Sequence, residues 1–353
     1  MTAPASPDLA ELEAALRRLV ERALGARTER VEWLPGQLGL RRFARLYLAG
    51  GGPPTLVARI EAPEDPVGRP AGVAPEPPLE PIRALLEREG IPVPARLAAD
   101  ERSGIELLED VGDLSLAAAA LAASPAERRA LYEEACDLVP RLQRVRDPGG
   151  VAAFDRRMDE ALLAYKAELF CEWVAVPEAG PAAGRAVKDA FARIAEAVRA
   201  APMRLAHRDL QSANVHLRAE GPPGRRLVLI DLQGALLAPP EYDLVCLLRD
   251  SYLDLAWEEV LRQLARIRPR LPDAPGEDEL AHRFDLLTLS RKGKDLARFV
   301  LAARRRGDSR YLRFAPTTVR ALRAAAVRAA SRDPHFHALA EILAALPEQP
   351  CAR

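Results

Sequence analysis

The spacing of apolar positions changes character about a third of the way along the chain, and the change predicts two parts of different build. From Asp8 to Leu24, apolar residues recur at Leu9, Leu12, Leu16, Leu19, Val20 and Ala23. That is one face of an amphipathic helix, opened by a Ser6-Pro7 start signal. The stretch VEWLPGQLGLRRFARLYLAGGGPPTLVARIEAPED reads instead as three strands. Glycine-bearing turns at Pro35–Leu40 and Gly50–Gly52 separate them. A proline-rich loop over 64–78 leads to a short helix at Leu79–Glu89, and Arg96–Ala99 with Gly104–Leu108 form a further hairpin.

After IELLEDVGDLSL the period becomes helical almost throughout. Helices are predicted at Ser115–Ala122, Pro125–Arg146, Phe154–Trp173, Gly184–Ala200, from about Asp243, and at Glu258–Ile267, His282–Arg305, Thr317–Ala330 and His337–Leu346. Ser124 with Glu127 makes a capping box for the second of these. The expected class is α+β. A leading helix and antiparallel sheet occupy residues 1–110, and a mostly helical part occupies 111–353.

Composition narrows the function classes. The chain has 353 residues, 49% of them hydrophobic, and zero net charge. That is enough for one large or two coupled cored units. Cys136, Cys171, Cys246 and Cys351 lie far apart with no C-x-x-C pair. They read as thiols in a reducing compartment and not as a disulfide frame or zinc site. No secretory leader or long uncharged apolar run is seen, so a cytoplasmic protein without a membrane span is expected. The 5% aromatic content and neutral charge argue against nucleic acid as a partner.

The chemistry concentrates in LAHRDLQSANVHLRAEGPPGRRLVLID, Leu205 to Asp231. It holds an H-R-D-x-x-x-x-N loop from His207 to Asn214. Beyond it the apolar run Leu227–Ile230 ends on a second aspartate, Asp231. Such a set serves phosphoryl transfer, with the first aspartate accepting a hydroxyl proton. Mg²⁺ prefers hard oxygen ligands, which a carboxylate and an amide carbonyl provide. Asp209 is therefore the candidate base, and Asn214 and Asp231 the candidate metal ligands. Mg²⁺ and ATP are the expected cofactors.

The order of these parts resembles the aminoglycoside phosphotransferase and choline kinase superfamily. Within it the chain is most similar to the bacterial N-acetylmuramate/N-acetylglucosamine anomeric kinases of cell-wall sugar recycling. LGLRRFARLYL, LVARIEAPED, IDLQGALLAPPEYDLVCLLRDSY and FDLLTLSRKGKDLARFVLAARRRGDSRYL carry the resemblance over roughly residues 30–330. It implies a bilobal protein-kinase-like fold with a small β-rich N-lobe and a large, mostly helical C-lobe. It also implies transfer from ATP to a sugar hydroxyl, with Asp243 bracing the catalytic loop.

The chain departs from most kinases in two places. Arg59 stands where a phosphate-pairing lysine is usual, with Glu80 or Glu87 as its expected support, and Asp231-Leu232-Gln233 replaces a D-F-G. Arg42 or Arg45 is the alternative phosphate contact. Nucleotide contacts are expected at Arg42, Arg59 and the segment Leu107, Leu108 and Glu109. Acceptor contacts are expected among Arg208, Gln211, Gln233, Arg249, Asp250 and Arg291.

Between Arg283 and Arg332 the only acids are Asp285, Asp295 and Asp308, among many arginines and lysines. That favours a neutral or anionic acceptor over a polycationic aminoglycoside. Kinases of the aminoglycoside, choline or homoserine type are the alternatives. So is a non-catalytic scaffold that binds nucleic acid through the basic tract. Oligomeric state is not legible.

Overall fold

The computed structural model describes residues 9–35, 41–50, 52–61, 76–218 and 226–350. The turn expected at Pro35–Leu40, most of the proline-rich loop over 64–78, Gly51 and Cys351 lie outside them, wholly or in part. The chain divides into two compact units, one from Met1–Pro70 and Pro94–Gly112, the other from Ala71–Val93 and Asp113–Arg353.

In the first unit, helix α1 (Leu9–Leu24) covers an antiparallel sheet of β1 (Arg27–Trp33), β2 (Arg42–Ala49), β3 (Thr55–Ile60), β4 (Arg96–Asp100) and β5 (Ile105–Glu109). The strand order is β1-β2-β3-β5-β4. Leu12, Leu16, Leu19 and Val20, spaced at helical period, bury against Leu46, Leu56, Ala58 and Leu107. Each large apolar side chain sealed this way contributes about 1.5–3 kcal/mol before chain entropy is counted. The ion pair of Arg45 with Asp110, 2.7 Å, ties the end of the sheet to the segment that leaves it.

The second unit is helical around two small hairpins. Helix α2 (Leu79–Arg88) is part of it. The run predicted as one helix from Pro125 divides at Asp137 into α4 (Pro125–Cys136) and α5 (Leu138–Arg144), after α3 (Leu116–Ala122). The capping box of Ser124 and Glu127 is present. Helix α6 (Glu160–Phe170) passes through a π turn at Cys171–Ala175 into α7 (Val176–Ala179), followed by α8 (Pro181–Ala200).

Strand β6 (Arg204–Ala206) pairs with β9 (Leu236–Ala238), and β7 (Val215–Leu217) with β8 (Leu227–Leu229). Helices α9 (Tyr242–Leu248), α10 (Trp257–Ile267), α11 (Glu277–Arg306), α12 (Ala315–Arg332) and α13 (His337–Ala345) complete the unit. Gly293 on α11 faces Phe170 and Phe191, where a Cβ would make ordinary van der Waals contact at 3.5 Å with each. No helix among the described residues is long and apolar enough to cross a membrane.

Candidate active site

The two hairpins of the second unit hold one irregular loop between them. Strand β6 ends at Ala206, and the loop runs from His207 through Asp209 to a 3-10 turn at Ser212–Asn214 before β7 begins. Backbone alone cannot fix such a loop, and buried side chains do so. Asp243 Oδ2 accepts from His207 N at 2.7 Å, and its Oδ1 accepts from Arg208 N at 3.0 Å. The bracing role expected of Asp243 is thus seen directly. His207 Nε2 donates to Ile230 O at 2.9 Å while its Nδ1 accepts from Asp209 N at 3.3 Å, which places the ring proton on Nε2.

Backbone strain gathers here. Arg208 has φ 76° and Asp231 φ 64°, in the left-handed region where a side chain is disfavoured. Arg208 is held there from three sides, since its carbonyl also accepts from Cys246 Sγ at 3.3 Å and Arg291 Nη1 at 2.9 Å.

Asp209, the candidate base, lies at the centre of this arrangement. Its side chain keeps 28% exposure, while that of Arg291 beside it keeps 2%. Arg291 Nη1 donates to Asp209 Oδ1 at 2.5 Å. Lys294 Nζ lies 3.6 Å from the same oxygen. Burial pushes the Asp209 carboxyl up, but Lys294, Arg291 and Arg208 outweigh it and hold the group well below the usual carboxylate range. Asp209 is therefore ionised, as a proton acceptor has to be.

Asn214 lies 6% exposed, with its amide nitrogen on Asp209 O at 2.9 Å. Its carbonyl oxygen is then the atom it has for a cation. Ile230 N donates to Asn214 O at 3.0 Å, which brings Asp231 one residue from that contact. Asp231 is exposed, and its Oδ1 accepts from Gln233 Nε2 at 2.6 Å. An amide oxygen and an exposed carboxylate fit a hard cation that completes its shell with phosphate and water. Among the described residues no three His, Cys, Asp or Glu side chains gather as a metal cluster. The turn after Asp231 closes on the base: a Cβ on Gly234 would stand 3.8 Å from Asp209 Oδ2 and 3.5 Å from Arg208 Cδ.

The acceptor candidates separate into two groups. Arg291 and Gln211 join Asp209, with Arg291 Nη2 on Gln211 Oε1 at 3.3 Å. Arg208 pairs with Glu76 at 3.7 Å, and Gln233 serves Asp231. Asp250 is corrected to a bracing position. It is 3% exposed, and its Oδ2 accepts from Ser212 N at 2.7 Å and from Ser212 Oγ, with Oδ1 accepting from Tyr252 N at 3.1 Å. Arg249 leaves the group altogether. Its guanidinium stands 5.7 Å from the Trp257 ring centroid, and Arg328 lies 3.8 Å from the same ring. The sequence leaves this undecided because Arg249 and Asp250 follow the last turn of one short helix and diverge there.

In the first unit, Arg59 is 3% exposed and bonded to Glu106 at 2.6 Å and Glu61 at 2.5 Å. It is an internal bridge and not an open cation. Glu80 and Glu87, its expected supports, bind Arg83 on their own helix instead. Leu107 and Leu108 sit in a central strand paired with both β3 and β4, so their backbone groups are already engaged. At the strand's end, Glu109 N donates to Ala95 O at 2.8 Å. Arg42 opens β2, paired through its backbone with Ile60, and its side chain makes no hydrogen bond or ion pair to a described residue.

Sequence reasoning missed Lys294, Asp295 and Ser212 as members of the site. Asp295 accepts from Arg291 Nε at 3.1 Å and from Lys292 Nζ at 2.8 Å. The i,i+3 and i,i+4 spacing of these residues was the signal that could have found them.

A loop held between two antiparallel strand pairs and packed among helices is an arrangement shared with solved structures. The fold is that of choline kinase LicA from Streptococcus pneumoniae, with TM-score 0.59 and 15% identity over 91% of this chain and 99% of that one. ADP-bound aminoglycoside phosphotransferase APH(2'')-Ib matches at TM-score 0.54 and 13% identity, over 95% and 99%. Residues 41–280 match the family model described as the phosphotransferase enzyme family, and the chain belongs to that family. It is 29% identical over 276 residues to the N-acetylmuramate/N-acetylglucosamine kinase of Pseudomonas aeruginosa, covering 76% of this chain and 77% of that protein. The Neisseria meningitidis serogroup B protein of the same name is 28% identical over 315 residues, covering 86% and 87%. The protein is a small-molecule kinase.

Proposed function

We propose that this kinase moves the γ-phosphoryl group of ATP onto a hydroxyl of a small sugar, and specifically onto the anomeric hydroxyl of N-acetylmuramate or N-acetylglucosamine. The observation that carries the reading is the setting of Asp209. It is an ionised, part-exposed carboxylate with one oxygen fixed by Arg291 and the other turned toward the Asp231–Gly234 turn. The names of the relatives supply the sugar.

On this reading Asp209 orients the acceptor hydroxyl and takes its proton as the new bond forms. A carboxylate with a lowered pKa is a weak base, and it serves because the proton moves late, when the hydroxyl has become acidic. Asn214 and Asp231 are the residues that would hold Mg²⁺, which supplies charge neutralisation on the phosphates when bound. Gln211 and Arg291 keep the base in place. Arg42 is our candidate for a phosphate contact and Glu109 for the base-reading end of the nucleotide segment. No covalent enzyme intermediate is required, since positioning and charge do the chemistry.

An aminoglycoside acceptor is disfavoured by the cations beside Asp209, because a polycation would meet Lys294 and Arg291 where it needs acids. The test is product analysis with Mg-ATP and a panel of N-acetylmuramate, N-acetylglucosamine, a hexosamine, kanamycin, choline and homoserine. Phosphate on an acetamido sugar, at the anomeric oxygen by phosphorus NMR coupling, is the expected result. Turnover of kanamycin or choline with none on any sugar overturns the reading.

A further inference from the structure

Lys294 is a donor that the fold leaves unused beside the base. Its side chain is 12% exposed, and its ammonium lies 3.6 Å from Asp209 Oδ1 and 3.3 Å from Asp295 Oδ1. It completes no hydrogen bond to any described residue. Its neighbours on α11 differ. Arg291 donates to Asp295, Arg208 O, Asp209 and Gln211. Lys292 donates to Ser251 Oγ at 3.0 Å and to Asp295.

Around it, Arg291, Lys292 and Lys294 meet Asp209 and Asp295, and Lys292 also faces Asp250. Arg298 on the same helix adds positive potential. Lys166 faces the cluster from α6, but burial among these cations holds it far below the usual lysine range, and it donates to Tyr242 Oη at 3.0 Å and Ser290 Oγ at 3.4 Å. The nearly enclosed Lys294 ammonium still has a donor to place, which an anionic oxygen would satisfy.

The Asp209 carboxylate says which anion. Its Oδ2 looks toward Gly234 and the turn that starts at Asp231, the side assigned to metal and phosphate. Its Oδ1 looks toward α11, where Arg291 and Lys294 stand. The phosphate side and the Lys294 side are thus opposite edges of one carboxylate. Resting on the sugar-kinase reading above, we infer that Lys294 recognises an acid group on the acceptor: its Nζ donates to a carboxylate carried by the sugar, and this sets a preference for an acidic acetamido sugar over a neutral one.

The test compares kcat/KM for N-acetylmuramate and N-acetylglucosamine in the wild type, Lys294→Gln and Lys294→Arg. A charge-assisted hydrogen bond lost to one substrate only should lower the acid-to-neutral ratio by about 10- to 100-fold in Lys294→Gln. Lys294→Arg should keep most of the ratio. An equal loss for both sugars, or no change for either, overturns the inference, since Lys294 would then serve the base, the transferring phosphate or nothing. The melting temperature of each variant checks its folding, and the ratio cancels any loss common to both sugars that arises through Asp209. A wild type that turns over neither sugar defeats the sugar-kinase reading instead. Calorimetric titration with N-acetylmuramate then decides the inference separately. Binding weakened in Lys294→Gln supports it, and equal binding or none overturns it.

Discussion

Two buried arginines, each gripped by two carboxylates, show how the same chemistry can build either a brace or a site. Arg59 bonds to Glu106 and Glu61, and Arg291 bonds to Asp209 and Asp295. At Arg59 the acids are completed by further arginines, with Arg96 on Glu106 at 3.5 Å and Arg41 on Glu61 at 3.2 Å. The partners come from β3 and β5 in direct register, Arg59 opposite Glu106. At Arg291 one carboxylate comes from a strained loop far away in sequence and keeps 28% exposure, and the Lys294 ammonium stands beside it without a hydrogen bond. A cluster whose charges close on themselves stabilises the fold. One that keeps a part-exposed carboxylate beside an ammonium without a hydrogen bond has room for a ligand.

The contrast can be broken most severely at Arg291. Arg291→Met strips Asp209 and Asp295 of their shared partner, and breaking such a buried pair costs about 3–5 kcal/mol. We expect a lower melting temperature together with a loss of turnover, measured by calorimetry and by phosphate transfer. The same change at the closed cluster should be milder and should act on stability alone. Arg59→Met leaves Glu106 with Arg96 and Glu61 with Arg41, and Glu61 is 42% exposed and can turn to water. The expected loss is about 1–2 kcal/mol, seen in denaturant melts, with the KM for ATP little changed. A large rise in that KM would return Arg59 to the nucleotide.

The smallest expected effect is in pH. Burial first, and then Arg291, bring the Lys294 ammonium down to about 8, against the opposing pull of Asp209 and Asp295. The charge that faces an acid acceptor is therefore present below that pH and lost above it. The acid-to-neutral ratio of kcat/KM should fall as pH rises through 8. It should stay flat in Lys294→Arg, because a guanidinium does not titrate there. A ratio that rises with pH would contradict the assignment.

Much of this was legible in the residues. Helical period located α1, α8, α11 and α12 to within a few positions, because their buried faces repeat without interruption. The loop from His207 to Asn214 could be singled out by the spacing of Asp209, Asn214 and Asp231, and their roles rest on the proposed function. What could not be read was partner choice among charges. Arg59, Arg249 and Arg291 look alike in sequence. One closes a strand pair, one stands over Trp257, and one fixes the base. Likewise Asp243 and Asp250 lie seven positions apart on and just after α9, two turns of helix, and both turn inward to pin the loop where one had been expected to meet substrate. Charge count along a helix says that a cluster exists, but only three-dimensional pairing says which member is left over.

The account stands on Asp209, and Asp209→Asn tests it most directly, because the amide keeps the shape and loses the proton acceptor. Turnover of the preferred sugar with Mg-ATP should drop by about 10²- to 10⁴-fold, with the melting temperature and ATP binding retained. An Asp209→Asn protein that is folded and still transfers phosphate at near the wild-type rate would contradict the assignment of the base, and with it the site built around that residue.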